Sequence, residues 1–376
     1  MGEGQMILLS SLIERFEADF LAQYQDRILP SHRRALAVMK DCRTAASPLM
    51  QAQCTACDRQ VFVPHSCGHR SCPHCQNHES QQWLARQLEK QVPAQYFLLT
   101  FTLPAEFRSL AWNHQRTLYS LLIRASWESV KTFTQNDPRL AGSPGAIAVL
   151  HTHSRRLDFH PHVHLVMPAA AVDTKKRLWR TKTSKGKRGY LFNHKALAKV
   201  FRAKMLDAIV GEGLALPPSY PREWVVDCRS VGTGEKALVY LGRYLYRGVI
   251  QEKDILACEN GQVTFRYQNA KTKLTEPRTV CGPTFLWLIL QHVLPKGFRR
   301  ARNFGFLHPN SKRLIALLHY LLGFNPKRVL ASLTERPRLS CPCCGGAMTI
   351  VRTRIVPALC GPPAVLIDAR ARVSVM

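Results

Sequence analysis

Two Cys-x2-Cys pairs, Cys54/Cys57 and Cys72/Cys75, stand fourteen residues apart and constrain the N-terminal part of the chain most tightly. Two such pairs can surround one tetrahedral zinc ion with thiolates. The second pair lies in CPHCQ, the tight Cys-Pro-x-Cys turn common at such sites. A zinc ion here is expected to supply folding energy to a segment with little core of its own. Cys67, His65 and His69 fall inside the loop and could replace one ligand. Five buried thiols clustered by chance is the bland alternative. A further group, Cys341, Cys343 and Cys344 in CPCCGG, is one knuckle without an obvious second pair, and Cys360 is the only later cysteine.

The chain has 376 residues, enough for two or three domains. Its formal net charge is +28, from 53 Lys and Arg against 25 Asp and Glu, an excess that calls for a polyanionic partner, nucleic acid before an anionic membrane. No apolar run is long enough to span a bilayer. MGEGQMILLSSLIERFEADF places acids soon after a short apolar run and is a poor signal peptide. A cytosolic chain is therefore expected, in which thirteen cysteines mean metal ligands or buried thiols rather than disulfides.

Apolar periodicity predicts helices over 7–41, with a break at Pro30, and over 79–91, 109–133, 194–210 and 235–250. Strands are expected at 96–104, 224–231 and 262–268, with a hairpin of about 146–153 and 157–167. From 284 the pattern reads as helical again, and the last 20 residues as irregular. Strands and helices alternate without the regular beat of a doubly wound fold, so an α+β fold with an antiparallel sheet is expected. The expected division is a helical and zinc-ribbon domain at 1–92, a catalytic domain with an antiparallel sheet flanked by helices at 93–275, a helical C-terminal region with the knuckle at 276–353, and a tail at 354–376.

Within the hairpin, His160-Pro161-His162-Val163-His164 sets three imidazoles at a period of two. On a strand, Asp158, His160, His162 and His164 would share one face. Imidazoles side by side on a rigid strand suit a divalent metal, Mn²⁺ or a similar ion, completed by oxygen ligands. His151 and His153 on the preceding strand read as outer-shell groups or as surface. A metal here could polarise a phosphoryl oxygen.

Taken alone, the stretch EKALVYLGRYLYRGVI reads as an amphipathic helix with aromatics at its rim; beside the histidine strand it reads as the source of a nucleophile. At about 100° per residue, Tyr240 and Tyr244 lie within ~40° of one another. Lys236, Arg243 and Arg247 fall on the same side, where they can hold phosphates, while Leu238, Leu241 and Leu245 face the opposite way. A phenol there could form a covalent phosphotyrosine. Eight basic residues and no acid lie between Lys175 and Arg188, beginning Lys175-Lys176-Arg177, and are expected to contact phosphate. Lys296, Arg299, Arg300 and Arg302 form a second basic run.

These residues resemble the HUH-type rolling-circle transposases of the IS91 group of bacterial insertion sequences. The matching segments run in order: Cys42-Arg43-Thr44, SCGHRSCPHCQ, FTLP, HPHVHLV, YLGRYL, FRYQNAKT, LQHVLPKGFRRARNFGFL and CPCCGG. The resemblance implies an N-terminal zinc-binding domain and a single-strand endonuclease that also transfers strands. His162 and His164 match the family's pair of ligands for Mg²⁺ or Mn²⁺, and Tyr240 and Tyr244 match its paired tyrosines. It further implies a 5′-phosphotyrosine intermediate, the single-stranded ends of the element and its target as partners, and a bacterial cytoplasmic, nucleoid-associated setting. A third metal ligand has no obvious match; Asp158 qualifies by alternation, as does a residue of the tyrosine helix. Ala45-Ala46-Ser47-Pro48 stands where the family has a glycine-bearing turn.

Three other readings compete. A rolling-circle replication initiator or relaxase would share the chemistry, but the ribbon and the 290–307 run speak against it. A non-catalytic zinc-dependent DNA-binding protein leaves the histidine strand unexplained. A zinc hydrolase of the familiar type would carry HExxH, which is absent.

Overall fold

In the computed structural model the described residues are 6–44, 46–73, 75, 77–183, 189–246, 248–269, 272–326 and 339–356. The described residues form an α+β fold, with three antiparallel sheets and helices packed on them. Two helices open it, α1 (Leu9–Tyr24) and α2 (Pro30–Lys40). The buried stripe Leu9, Leu12, Ile13, Phe16 and Phe20 follows the helical period, and Pro30 sits in the first turn of α2, where its missing N–H costs nothing.

A small sheet follows, with strands β1 (Leu49–Cys54) and β2 (Gln60–Pro64), and then α3 (Asn77–Leu88). The central part runs β3 (Tyr96–Thr102), α4 (Arg108–Asn113), α5 (Gln115–Asn136), β4 (Ser143–His153), β5 (Phe159–Pro168), β6 (Ala170–Asp173), β7 (Leu178–Thr181), α6 (His194–Gly211), β8 (Val226–Ser230) and α7 (Glu235–Tyr246). A meander, β9 (Ile255–Glu259), β10 (Gln262–Gln268) and β11 (Thr275–Cys281), leads into α8 (Gly282–Leu290). The last elements are β12 (Ala301–Gly305), α9 (Lys312–Leu321) and β13 (Met348–Ile355).

The central sheet has the order β7-β6-β4-β5-β3-β8, with β12 added to the free stretch of β4. Its pairings are all antiparallel. One face, with Phe97, Leu99, Phe101, Val163, Leu165 and Leu150, is buried beneath α5 and α6. Helix α6 starts where Asn193 accepts a hydrogen bond from the Ala196 amide, and it turns Leu197, Phe201, Met205 and Ile209 onto the sheet. The other face carries Leu98, Val166, Ile147 and Val149, covered by α3, α7 and α9. A separate core joins α1, α2, α8 and β10, where Tyr24 stacks on Trp287 at 5.0 Å.

Two expectations need correction. The region after 284 is not helical throughout. Residues 301–305 form a strand of the central sheet, because Ala301–Gly305 pairs with the edge of β4 left open by β6. Residues 348–355 form another strand, which pairs with β1, so the C-terminal knuckle belongs to the N-terminal ribbon and part of the expected tail is strand. In addition, the single helix expected at 109–133 breaks at His114, whose ψ of 45° leaves the helical region. The residues after 356 and Lys185, Lys187 and Arg188 of the basic loop lie outside the described residues.

His32 and His292 are buried, and burial holds both imidazoles down to about 4. The Leu29 amide donates to His32 Nδ1, a bond that requires the neutral ring. Unfolding returns both to their ordinary range near 6.5. The unfolded chain then binds more protons than the folded one below about pH 6.5, so their contribution to stability is present above that pH and is lost as pH falls toward about 4. Each group changes stability by at most ~1.4 kcal/mol per pH unit in that window. Metal-free protein should therefore show a denaturation midpoint that falls steadily from pH 6.5 to 4, and His32→Gln should flatten part of that slope; an unchanged slope would remove His32 from the account.

Candidate active site and zinc cluster

The register of the central sheet builds the site. Thr102, His162 and His151 stand abreast on β3, β5 and β4, and Thr100, His164 and Val149 form the next row. Directly opposed residues share a face, and this face is the one covered by α7. His151, His162 and His164 therefore converge, their candidate ligand atoms within 4.8 Å of one another. Ring centroids are 4.2 Å apart for His151 and His164 and 4.9 Å for His162 and His164.

His162 Nδ1 lies 2.7 Å from the His160 carbonyl, which fixes its proton on Nδ1 and leaves Nε2 as the lone-pair nitrogen. His164 Nδ1 is engaged by the Thr100 hydroxyl at 3.0 Å. Burial is the main reason that all three imidazoles titrate low, His162 down to about 4 and His151 and His164 well below the usual histidine range, with neighbouring imidazoles adding to the effect on the latter two. Neutral imidazoles are the ligating form. Three nitrogen donors on two adjacent strands fit one divalent ion with open positions.

Asp158 does not join them. It accepts from Arg278 at 2.9 Å and from Ser154 at 3.2 Å, and the third group of the cluster is His151. His160 also turns away, with Arg108 Nη2 donating to its Nδ1 at 3.1 Å. Sequence reading places His151 only as an outer-shell or surface group and does not single out Thr100, because their proximity to His162 and His164 comes from strand pairing.

Helix α7 crosses above this face. Leu238, Leu241 and Leu245 are buried against the sheet, as the helical period predicts. Tyr240 sits at the rim, 50% exposed, its ring 6.1 Å from that of His164 and 6.3 Å from that of His151. Lys236 is exposed one turn earlier. The side chains of Arg243 and Tyr244, and Arg247 altogether, lie outside the described residues. Lys175, Lys176 and Arg177 are exposed at the tip of the β6–β7 hairpin, where the Lys176 amide donates to Asp173.

The cysteines assort differently from their spacing. Cys72 and Cys75 meet Cys42 and Cys67, with Sγ separations of 3.5 Å for Cys42–Cys75, 3.6 Å for Cys67–Cys75 and 3.6 Å for Cys72–Cys42. Cys54 and Cys57 belong to another group, with Cys341 and Cys344. The strand pair β1–β2 carries Cys54 and Cys57 away from the Cys72 turn, and Cys42, just past the end of α2, takes up the vacancy. Hydrogen bonding among the crowded thiols, with Cys42 the leading partner, drives Cys75 far below the ordinary thiol range and Cys67 and Cys72 above it. Such a set suits a closed tetrathiolate zinc site.

The turn of this cluster meets the segment that follows α7. A Cβ on Gly248 would lie 3.0 Å from the Ser71 carbonyl oxygen and 3.1 Å from Pro73. Ser80 on α3 donates to the Gly242 carbonyl at 3.0 Å. Arg70 donates to the carbonyls of Phe298 and Pro295 at 2.8 and 3.0 Å, and Arg300 to the Leu245 carbonyl.

Comparison with known proteins decides the family. A family model described as "Transposase zinc-binding domain" matches residues 12–103, and one described as "Putative transposase" matches 145–314. The chain is 29% identical over 393 residues to "Putative transposase y4qJ" of Sinorhizobium fredii, an alignment covering 94% of this chain and 97% of the relative. It is 26% identical over 274 residues to "Transposase for insertion sequence element IS801" of Pseudomonas savastanoi pv. phaseolicola, covering 67% of this chain and 64% of the relative. The chain belongs to the IS91 group of transposases. The zinc-binding segment of the transposase thus contains the whole of the Cys42/Cys67/Cys72/Cys75 cluster, and the second match contains His151, His162, His164 and Tyr240. A transposase acts on DNA, in keeping with the net charge of +28. No helix among the described residues is long and apolar enough to cross a membrane.

If the three imidazoles form one site, His151→Ala should weaken Mn²⁺ binding as severely as His162→Ala, and Thr100→Val, which frees the Nδ1 of His164, should cost about 10–100-fold. Calorimetric titration of Mn²⁺ into each variant checks this. Wild-type affinity in His151→Ala would leave His151 outside the site.

Proposed function

We propose that the transposase nicks single-stranded DNA through attack of Tyr240 on a phosphodiester and then transfers the strand, as rolling-circle transposition requires. The observation that carries this is the half-exposed Tyr240 phenol above a cluster of three neutral imidazoles. The Tyr240 oxygen bonds to phosphorus, the bond to the 3′ oxygen breaks, and the phenol proton is lost while the departing 3′ oxygen gains one. The 5′ end remains on the enzyme as a phosphotyrosine, which keeps the phosphodiester's energy for rejoining. A Mg²⁺ or Mn²⁺ ion held by His151, His162 and His164 would supply Lewis-acid polarisation of a phosphoryl oxygen. The leucine face of α7 fixes the height of Tyr240 over the sheet, which is the positioning that such an attack needs.

Tyr244, four residues on, is assigned the second cut by its match to the family's paired tyrosines. Lys236, Arg243 and Arg247, with Lys175, Lys176 and Arg177 on the β6–β7 hairpin, are assigned to phosphate. The zinc cluster supports the reading indirectly, through the packing of its Cys72 turn against Gly248 in the segment that follows α7.

Labelled single strands from the DNA flanking the gene, mixed with protein and Mn²⁺, should give a covalent adduct on denaturing gels. The adduct should require metal, drop at least about tenfold in His162→Ala and disappear in Tyr240→Phe/Tyr244→Phe, while the single variants rank the tyrosines. Tight binding without adduct would instead favour a non-catalytic DNA-binding protein.

Affinity for single-stranded DNA should fall steeply with salt, by about 0.7 in log K per log salt for each phosphate neutralised. Replacing Lys175, Lys176 and Arg177 together by alanine should reduce that slope by up to ~2. An unaltered slope would free the hairpin of this role.

A further inference from the structure

The second cysteine group lies outside the imidazole site, and half of it lies outside the matched zinc-binding segment, which ends at residue 103. Cys54 and Cys57 come from the end of β1 and the turn after it; Cys341 and Cys344 come from the turn before β13. We propose that these four hold a second structural zinc ion, a staple that makes residues 339–355 part of the N-terminal ribbon.

The sulfurs are 3.5 Å apart for Cys54–Cys344, 3.6 Å for Cys57–Cys341 and 3.5 Å for Cys57–Cys344, and all four lie within 4.8 Å. A tetrahedral zinc with bonds of ~2.3 Å places its sulfurs ~3.8 Å apart, whereas a disulfide would bring two of them to ~2.05 Å. Three near-equal contacts, with the fourth sulfur inside the same 4.8 Å, describe a tetrathiolate rather than two disulfides.

The two turns are built alike. The Ala56 amide donates to Cys54 Sγ and the Cys343 amide to Cys341 Sγ, both at 3.4 Å. Each turn thus directs an amide two residues on at its first sulfur, which stabilises a thiolate. The turns also bind each other, since the Thr55 amide and hydroxyl both donate to the Ala347 carbonyl at 3.0 Å. The turns pack closely at Gly346, where a Cβ would lie 3.1 Å from that of Ala56 and 3.2 and 3.3 Å from the sulfurs of Cys344 and Cys54.

The need for a staple follows from the core. Besides its cysteines, the small core of the sheet β13-β1-β2 consists of Ala52, Val61, Val63 and Met348, with Met50 and Leu339 packed on its edge. So few apolar groups leave little margin over the entropy of bringing together segments 284 positions apart, from Cys57 to Cys341, and a shared metal would add to that margin. Four oxygen-free soft ligands in a closed set select zinc over the oxygen-seeking divalent ions.

Full-length protein, purified with reductant and dialysed free of loose metal, should carry two zinc ions per chain by plasma mass spectrometry. Cys341→Ser/Cys344→Ser should carry one, and Cys67→Ser/Cys72→Ser should carry the other. Cys344→His, which keeps a ligand, should retain two metals and, after Co²⁺ exchange, shift the absorption of one of two tetrathiolate sites. Two zinc ions remaining in Cys341→Ser/Cys344→Ser, or one in the wild type, would overturn the proposal. So would iron in place of zinc, or a thiol titration in denaturant that falls four short until reductant is added.

Discussion

The pairing register of β4 and β5 is the constraint on which the site depends. His151 opposes His162 and Val149 opposes His164, so donors from two strands fall into adjacent rows. A slip of one residue would move every one of these side chains to the opposite face, burying imidazoles beneath α5 and α6 and turning Val163 and Leu165 toward α7. The register is held from both sides. Phe101, Val163 and Leu150 lock one face into the main core, and Leu98, Val166 and Ile147 lock the other. The polar rows are thus the outer end of a face that is otherwise apolar, and the strand alternation that fills the core also assembles the donors.

Helix α7 inherits its position from the same face and from the ribbon. Its three leucines bury on the sheet, each contributing roughly 1.5–3 kcal/mol. Its middle is gripped by α3 through Ser80 and Trp83, its end by Arg300, and the segment just past it by the Cys72 turn. Arg70 ties the ribbon to the 295–298 segment that leads into β12. Zinc cluster, tyrosine helix and central sheet are consequently one packed unit. The run from His292 to Leu307, which sequence reading treats as a family match and a basic surface, acquires a physical role as the brace that connects them.

Much of this was legible in the chain. Strands at 96–104 and 224–231, the hairpin, and the leucine face of α7 announced themselves because a local period of two or 3.6 fixes which residues are buried. His162 and His164 were legible for the same reason. What escaped was long-range. Cys54, Cys57, Cys72 and Cys75 have the spacing of one zinc site, yet the antiparallel return of β2 separates the two pairs, and each is completed by cysteines distant in sequence, Cys42 and Cys67 or Cys341 and Cys344. Asp158 satisfied strand alternation but is claimed by Arg278, a residue 120 positions away. The strand at 301–305 carries no alternation strong enough to mark it, since all five of its residues are half-buried; it is a strand because β4 offers it an open edge.

The buried imidazoles and the half-exposed phenol express one compromise. Taking three histidines out of water penalises their charged forms, and the fold meets that cost in advance by packing, so they stand neutral and ready to ligate. In the proposed reaction, a nucleophile buried equally deep could not meet a DNA strand. Placing Tyr240 at the rim of a helix whose opposite face is fully buried resolves the conflict, because the leucines supply rigidity while the phenol keeps its access. The amphipathic period of α7 therefore carries both demands at once: a shift of Tyr240 by one position would rotate it by about 100°, away from the imidazoles or into the apolar seam.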